Sequence, residues 1–174
     1  MAKLSHTGRR VPAWVLVGVL VGLVLVFGLS GKGASVGRPA PALPRELLAG
    51  PPITLTALRS AAGGRAALVV FWASWCGPCQ HEAPAIERLA RSATGRGRVV
   101  GVDWSDEAGS ARRFIAKYGW SFSNLRDGEG AVGLAYGLRG LPTTFVIGAD
   151  GRISRTLLGP QTERMLGQAL GGAS

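Results

Sequence analysis

The longest apolar stretch of the chain runs from Val11 to Leu29, nineteen residues without a charge. As a helix it would be about 28 Å long, close to the thickness of a bilayer's hydrocarbon core. Further on, Ala66-Ala67-Leu68-Val69-Val70-Phe71-Trp72 is an unbroken apolar run of the kind that forms a strand buried on both faces. Val99 to Val102 repeats that pattern, and Ile53 to Thr56 predicts a further short strand. Helical spacing lies between and after them: from Cys76 or Pro78 to Ser92, from Glu107 to Tyr118 with Ala111, Phe114, Ile115 and Tyr118 on one face, and from Glu129 to Tyr136. Thr143 to Ile147 and Arg152 to Leu157 are joined through Asp150-Gly151, a tight-turn pair that predicts an antiparallel hairpin, and Gln161 to Leu170 closes the chain as a helix. This alternation predicts an α/β fold with a mixed central sheet and helices on both faces. There is no internal repeat.

The flanks of the first segment orient it. Lys3, Arg9 and Arg10 precede Val11, and Lys32 and Arg38 follow Leu29, so the positive-inside rule places the N-terminus in the cytoplasm. The expected organisation is a cytoplasmic N-terminus over 1–10, a transmembrane signal anchor over 11–29, a Gly-rich linker over 30–38 and a domain over 39–174. That domain would stand outside the cytoplasm, held at the cell membrane by a single pass. A cleaved signal peptide is the competing reading, because Gly33-Ala34-Ser35 offers small residues after the apolar run. The length of the run and the position of Lys32 just before any cut favour retention. Neither cysteine lies near enough to carry a lipid.

Charge changes this picture little. Lys and Arg number 20 against 10 acidic residues, a formal +10, which raises nucleic acid as a partner. Lys3, Arg9, Arg10 and Lys32 belong to the N-terminal segment, however, and the remaining basic residues are scattered, with one short cluster at Arg88, Arg91, Arg96 and Arg98. No recognition motif accompanies them, and no nucleic-acid partner is expected.

The chemistry is concentrated in Cys76-Gly77-Pro78-Cys79. These are the two cysteines of the chain, placed just after a buried strand and at the start of a helix. A helix N-terminus offers unsatisfied N–H groups and a positive dipole end, both of which stabilise a thiolate. Cys76 is therefore expected to be the nucleophile. Cys79, one turn further and facing the core, is suited to resolve the mixed disulfide. A purely stabilising bridge fits less well, since closing so short a loop contributes only roughly 2 kcal/mol. Structural zinc fits less well too, because the chain has two histidines and His6 precedes the membrane segment.

Periodicity brings out one more residue. At about 100° per residue from Cys79, Glu82 falls within the stripe formed by Ala83, Ile86, Leu89 and Ala90. A carboxyl there should have a raised pKa and can accept the proton of Cys79 during resolution. A surface carboxylate near a helix start is the alternative. His81 falls on the opposite side, among solvated positions. Trp75, next to the nucleophile, is a candidate platform for partner contact, and Trp72 is a core residue.

The segment Phe71-Trp72-Ala73-Ser74-Trp75-Cys76-Gly77-Pro78-Cys79 resembles the active site of thioredoxin-fold proteins. Gly37-Arg38-Pro39-Ala40-Pro41, Glu82-Ala83-Pro84, Gly140-Leu141-Pro142-Thr143-Thr144-Phe145 and Asp150-Gly151-Arg152-Ile153 extend the likeness to the membrane-tethered extracytoplasmic branch. That branch includes TlpA, ResA and the cytochrome c maturation thioredoxins, and Asp103 to Asp127 is similar to its helical insertion. Two positions depart from the pattern: Val70 stands where thioredoxin carries a buried Asp, and Ser123 where many relatives have Pro. The resemblance implies a thioredoxin fold and dithiol-disulfide exchange with protein thiols and disulfides, apocytochrome c among them. It implies a membrane or extracytoplasmic redox partner and no cofactor. It also implies a cis proline at Pro142, with the backbone of Leu141 beside it and Trp75, Gly77 and Pro78 around the nucleophile forming the substrate-contacting rim. Gly77-Pro78 is the dipeptide of reducing thioredoxin, which favours a reductant over an oxidant. The rival from another class is a Cu(I)-binding chaperone using both thiolates, disfavoured because no histidine follows His81. Peroxidase chemistry lacks its Thr and Arg pattern near Cys76.

Overall fold

The apolar run at the centre of the chain is strand β2 (Ala67–Trp72), and all six of its residues are buried. Strands buried on both faces need partners on both edges and helices above and below. The computed structural model describes residues 37–172, and within them β2 pairs in parallel with β3 (Val99–Trp104) and antiparallel with β5 (Thr143–Ile147). β4 (Asn124–Asp127) extends the sheet beside β3, β1 (Glu46–Ala49) adds antiparallel to β4, and β6 (Ile153–Leu158) adds antiparallel to β5. The order is β1-β4-β3-β2-β5-β6, the mixed sheet that the sequence pattern predicts.

Alternation along β2 divides the core. Leu68, Val70 and Trp72 face helices α2 (Gly77–Arg91), α3 (Ala108–Tyr118) and α5 (Glu163–Gly171). Ala67, Val69 and Phe71 face α1 (Leu55–Ala61) and α4 (Ala131–Tyr136) on the other side. Trp72 stacks on Phe114 and meets Trp120 edge-on, centroids 4.7 and 4.8 Å apart, so the last residue of β2 is held rigidly where the chain turns toward the cysteines. Arg98 fixes the opposite end. Almost fully buried, it donates to the carbonyls of Ala66, Thr94 and Leu170 at 2.7, 2.9 and 3.0 Å, tying the start of β2 to the end of α5. The predicted hairpin turn is present: Asp150 Oδ1 accepts the Arg152 N–H at 2.9 Å and Gly151 has φ 79°.

The strand expected over Ile53 to Thr56 is not formed. Pro51 and Pro52 cannot donate to a ladder, and Thr54 caps α1 instead, its hydroxyl accepting the Ala57 N–H at 3.1 Å. β1 and β4, which the apolar pattern did not predict, are four-residue strands carrying Glu46, Arg126 and Asp127. Gly37 and Arg38, counted with the linker, bond to the start of β6, with Gly37 donating to the Ile153 carbonyl at 2.7 Å and Arg38 accepting from the Ile153 N–H at 2.9 Å. The N-terminal tail, the membrane span and the rest of the linker lie outside the described residues. Among the described residues no helix is long and apolar enough to cross a membrane.

Candidate active site

Cys76 ends the loop that leaves β2 and is the N-cap of α2, while Cys79 occupies the first turn. The two form a disulfide with a Cα separation of 5.2 Å. The N–H of Cys79 is aimed at the sulfur of Cys76 at 3.2 Å, so the cap position normally filled by an oxygen is filled by Sγ. Both sulfurs belong to buried residues, 4% exposed for Cys76 and 2% for Cys79, and burial alone therefore does not separate their roles. The helix end and its N–H act on the first sulfur. Gly77 and Pro78, as the first two helical residues, are exposed around it.

Glu82 lies on the buried face of α2, one turn beyond Cys79, and is 2% exposed. Its Oε1 accepts the backbone N–H of Gln161 at 3.1 Å, and among the described residues its Oε2 has no hydrogen-bond partner. Burial raises the pKa to about 7, and the Gln161 bond only partly offsets this. The sequence stripe thus placed the carboxyl correctly but carried no sign of the loop that binds it, since Gln161 is 79 positions away. Val70 is fully buried and apolar, leaving Glu82 as the buried carboxyl of this helix face nearest in sequence to the cysteines.

The Leu141–Pro142 peptide is cis. The ladder between β5 and β2 begins at Thr143, opposite Phe71, so Pro142 stands level with the end of β2, where the cysteine loop departs. Leu141 lies outside the sheet and is partly buried between both halves of the core. Beside it, Leu158 is paired with Thr143 and 68% exposed. Trp75 is 59% exposed, its indole N–H donating to the Ser105 carbonyl at 3.2 Å and its ring 6.5 Å from that of Trp104. Trp75 in the cysteine loop and Leu158 on β6 are thus two exposed apolar side chains. Trp72 is fully buried and His81 is exposed, as the helical and strand periods indicate.

Sequence reasoning missed a second acidic feature. Asp106 accepts the Ser74 N–H on Oδ2 at 2.6 Å, two residues before Cys76, and next to it in the fold Asp103 is fully buried. Polar residues at the C-terminal end of a strand read as the strand's end, and only the folded register brings them to the cysteine loop.

A parallel and antiparallel sheet of this order, with a Cys-Gly-Pro-Cys disulfide at a helix start and a cis proline alongside, defines a thioredoxin-like thiol-disulfide oxidoreductase. The chain belongs to the Redoxin family, whose pattern matches residues 35–170. It is 38% identical over 135 residues to the thiol:disulfide interchange protein HelX of Rhodobacter capsulatus, covering 76% of this chain and 73% of that protein. It is 33% identical over 169 residues to the thiol-disulfide oxidoreductase ResA of Halalkalibacterium halodurans, covering 95% of this chain and 94% of that one. Among solved structures, a thiol:disulfide interchange protein of the thioredoxin family from Chlorobium tepidum superimposes with a TM-score of 0.67 at 25% identity, covering 78% of this chain and 95% of that chain.

Proposed function

We propose that this protein is a membrane-anchored, extracytoplasmic reductant of protein disulfides. The observation that carries the reading is the Cys79 N–H aimed at Cys76 Sγ with Glu82 buried one turn behind. In the reduced protein the Cys76 thiolate attacks one sulfur of a substrate disulfide, forming a mixed disulfide and releasing the other substrate sulfur as a thiolate. Cys79 then passes its proton to Glu82 and attacks Cys76 Sγ, which frees the substrate dithiol and leaves Cys76–Cys79 oxidised. A carboxyl with a pKa of about 7 is matched to that transfer near neutral pH. The oxidised pair must then be reduced by a redox partner at the membrane or outside the cytoplasm. Trp75 and Leu158 offer apolar contact to the substrate segment, and Leu141 lies outside the sheet, before the first ladder pair of β5.

The resemblance of the Cys-Gly-Pro-Cys, Glu-Ala-Pro and Leu-Pro-Thr segments to the cytochrome c maturation thioredoxins supports apocytochrome c as substrate, and Gly77-Pro78 supports the reducing direction. Equilibration against a glutathione series tests this. A potential near the thioredoxin end of the scale, about −270 mV, with reduction of a disulfide-closed Cys-x-x-Cys-His peptide, is expected. A value near the oxidising end, about −120 mV, would reverse the direction.

A further inference from the structure

Asp103 lies in β3 with Trp72 as its register partner on one side and Arg126 on the other. Its side chain is fully buried, and among the described residues no N–H or O–H donates to either of its carboxyl oxygens. An ionised carboxyl in that position has lost its water and gained nothing in return. The neighbouring group that acts on it most strongly is another carboxyl, that of Asp106, through its charge and a side-chain hydrogen bond. Two carboxyls bond to each other only when one of them holds a proton.

Asp106 has its own duties at the cysteine loop. Its Oδ2 accepts the Ser74 N–H at 2.6 Å and its Oδ1 accepts the Glu107 N–H at 2.7 Å. Its neighbour Ser105 accepts the Trp75 indole N–H at 3.2 Å and has φ 50°, the one positive φ outside glycine among the described residues. Residues 105 and 106 thus grip residues 74 and 75, directly before Cys76. Arg126 supports the grip from β4, donating twice to the Asp106 carbonyl at 3.3 and 3.2 Å and once to Glu46 of β1 at 3.1 Å.

We propose that Asp103 is a positioning residue for thiol-disulfide exchange: it holds a proton that bridges its carboxyl to Asp106, and this bridge keeps Asp106 on the Ser74 N–H and so sets the segment that presents Cys76. The inference rests on Cys76 being the attacking thiol. The groups that act on the bridge come from several elements. Burial, reinforced by the charge of Asp106 and by Glu46 and opposed by Arg126, pushes Asp103 up to about 8. Helix α3 turns Ala111, Phe114 and Ile115 inward and leaves Arg112, Arg113 and Lys117 exposed. On α2, His81 is exposed and Glu82 is bonded to Gln161. The proton is therefore in place at neutral pH and is lost as the pH rises through about 8. Two carboxylates then face each other, and the grip on Ser74 loosens.

The test uses the full chain in detergent, with wild type, Asp103→Asn and Asp103→Leu compared between about pH 5 and 9.5, a range bracketing both buried acids. Tryptophan fluorescence of the oxidised protein sums its five tryptophans, Trp75 and Trp104 among them, and reads their environment where no thiol titrates. The rate of the reduced protein with a small aromatic disulfide reads Cys76. Wild type should show a fluorescence transition near pH 8. Asp103→Asn, whose amide donates to Asp106 without a titrating proton, should keep the neutral-pH rate and lose that transition. Asp103→Leu should lose both the transition and the wild-type rate at neutral pH, with folding checked by near-ultraviolet circular dichroism. An unchanged transition in Asp103→Asn overturns the inference. Absence of any exchange by the wild type would instead overturn the redox reading, leaving the fluorescence result to stand alone.

Discussion

The backbone N–H of Cys79 points at the sulfur of Cys76 from 3.2 Å, inside the first turn of the helix that both residues begin. The contact distinguishes the two sulfurs. In the reduced protein the same N–H, with the dipole end of a fifteen-residue helix, is expected to favour negative charge on the first sulfur over the second.

Alkylation should report this directly. The reduced protein treated with limiting iodoacetamide should be modified at Cys76 first, with a pH midpoint below the ordinary thiol value of about 8.5. Peptide mass mapping across a pH series checks both the site and the midpoint. Equal labelling of the two residues at every pH would remove the distinction between them.

Glu82 has consequences for stability as well as rate. Its folded pKa of about 7 lies above the ordinary glutamate value of 4.5, so the folded state holds a proton that the unfolded chain gives up between those values. Wild type therefore loses stability as the pH rises through that window, by up to about 3 kcal/mol. Glu82→Gln, which keeps an oxygen for the Gln161 N–H, should be insensitive to this effect. Its stability relative to wild type should climb from about pH 4 and level off above about pH 7. Denaturant unfolding at several pH values measures it, and stopped-flow exchange should show slower release of mixed disulfides with an altered pH profile.

How much of this was legible in the sequence depended on the period and reach of each signal. Six buried residues in β2 and the stripe on α2 are local patterns, and they located the central strand, the cysteines and Glu82. The short outer strands failed to register because Glu46, Arg126 and Asp127 break any apolar alternation within four residues. Ile53 to Thr56 misled because an apolar Ile beside a β-branched Thr reads as strand, whereas the Thr54 hydroxyl was capping a helix. Gln161 and the Asp103–Asp106 pair depend on contacts that only the folded register creates.

Arg98 is expected to matter for stability without touching the cysteines. Arg98→Ala would strand three backbone carbonyls, two of them bonded by almost fully buried guanidinium atoms. The expected loss is on the order of 2 to 4 kcal/mol. Urea unfolding of the oxidised protein measures it, and the Cys76–Cys79 potential should move little.

Gly101 is required for a different reason. A Cβ there would lie 2.0 Å from Asn124 Oδ1 and 2.9 Å from Trp72 Nε1, so Gly101→Ala must displace the β4 side chain or the core tryptophan. A loss of about 1 to 3 kcal/mol is expected. Thermal unfolding with near-ultraviolet circular dichroism should show both the lower midpoint and a changed Trp72 signal.

The central claim is that Cys76 attacks and Cys79 resolves. The most direct measurement is trapping in cells with the full-length Cys79→Ser and Cys76→Ser variants, followed by non-reducing electrophoresis with and without dithiothreitol. Cys79→Ser should accumulate dithiothreitol-sensitive mixed disulfides linked through Cys76, because no second thiol remains to release them. Cys76→Ser should accumulate none. Equal trapping by Cys76→Ser, or an absence of adducts in both variants, would contradict the assignment.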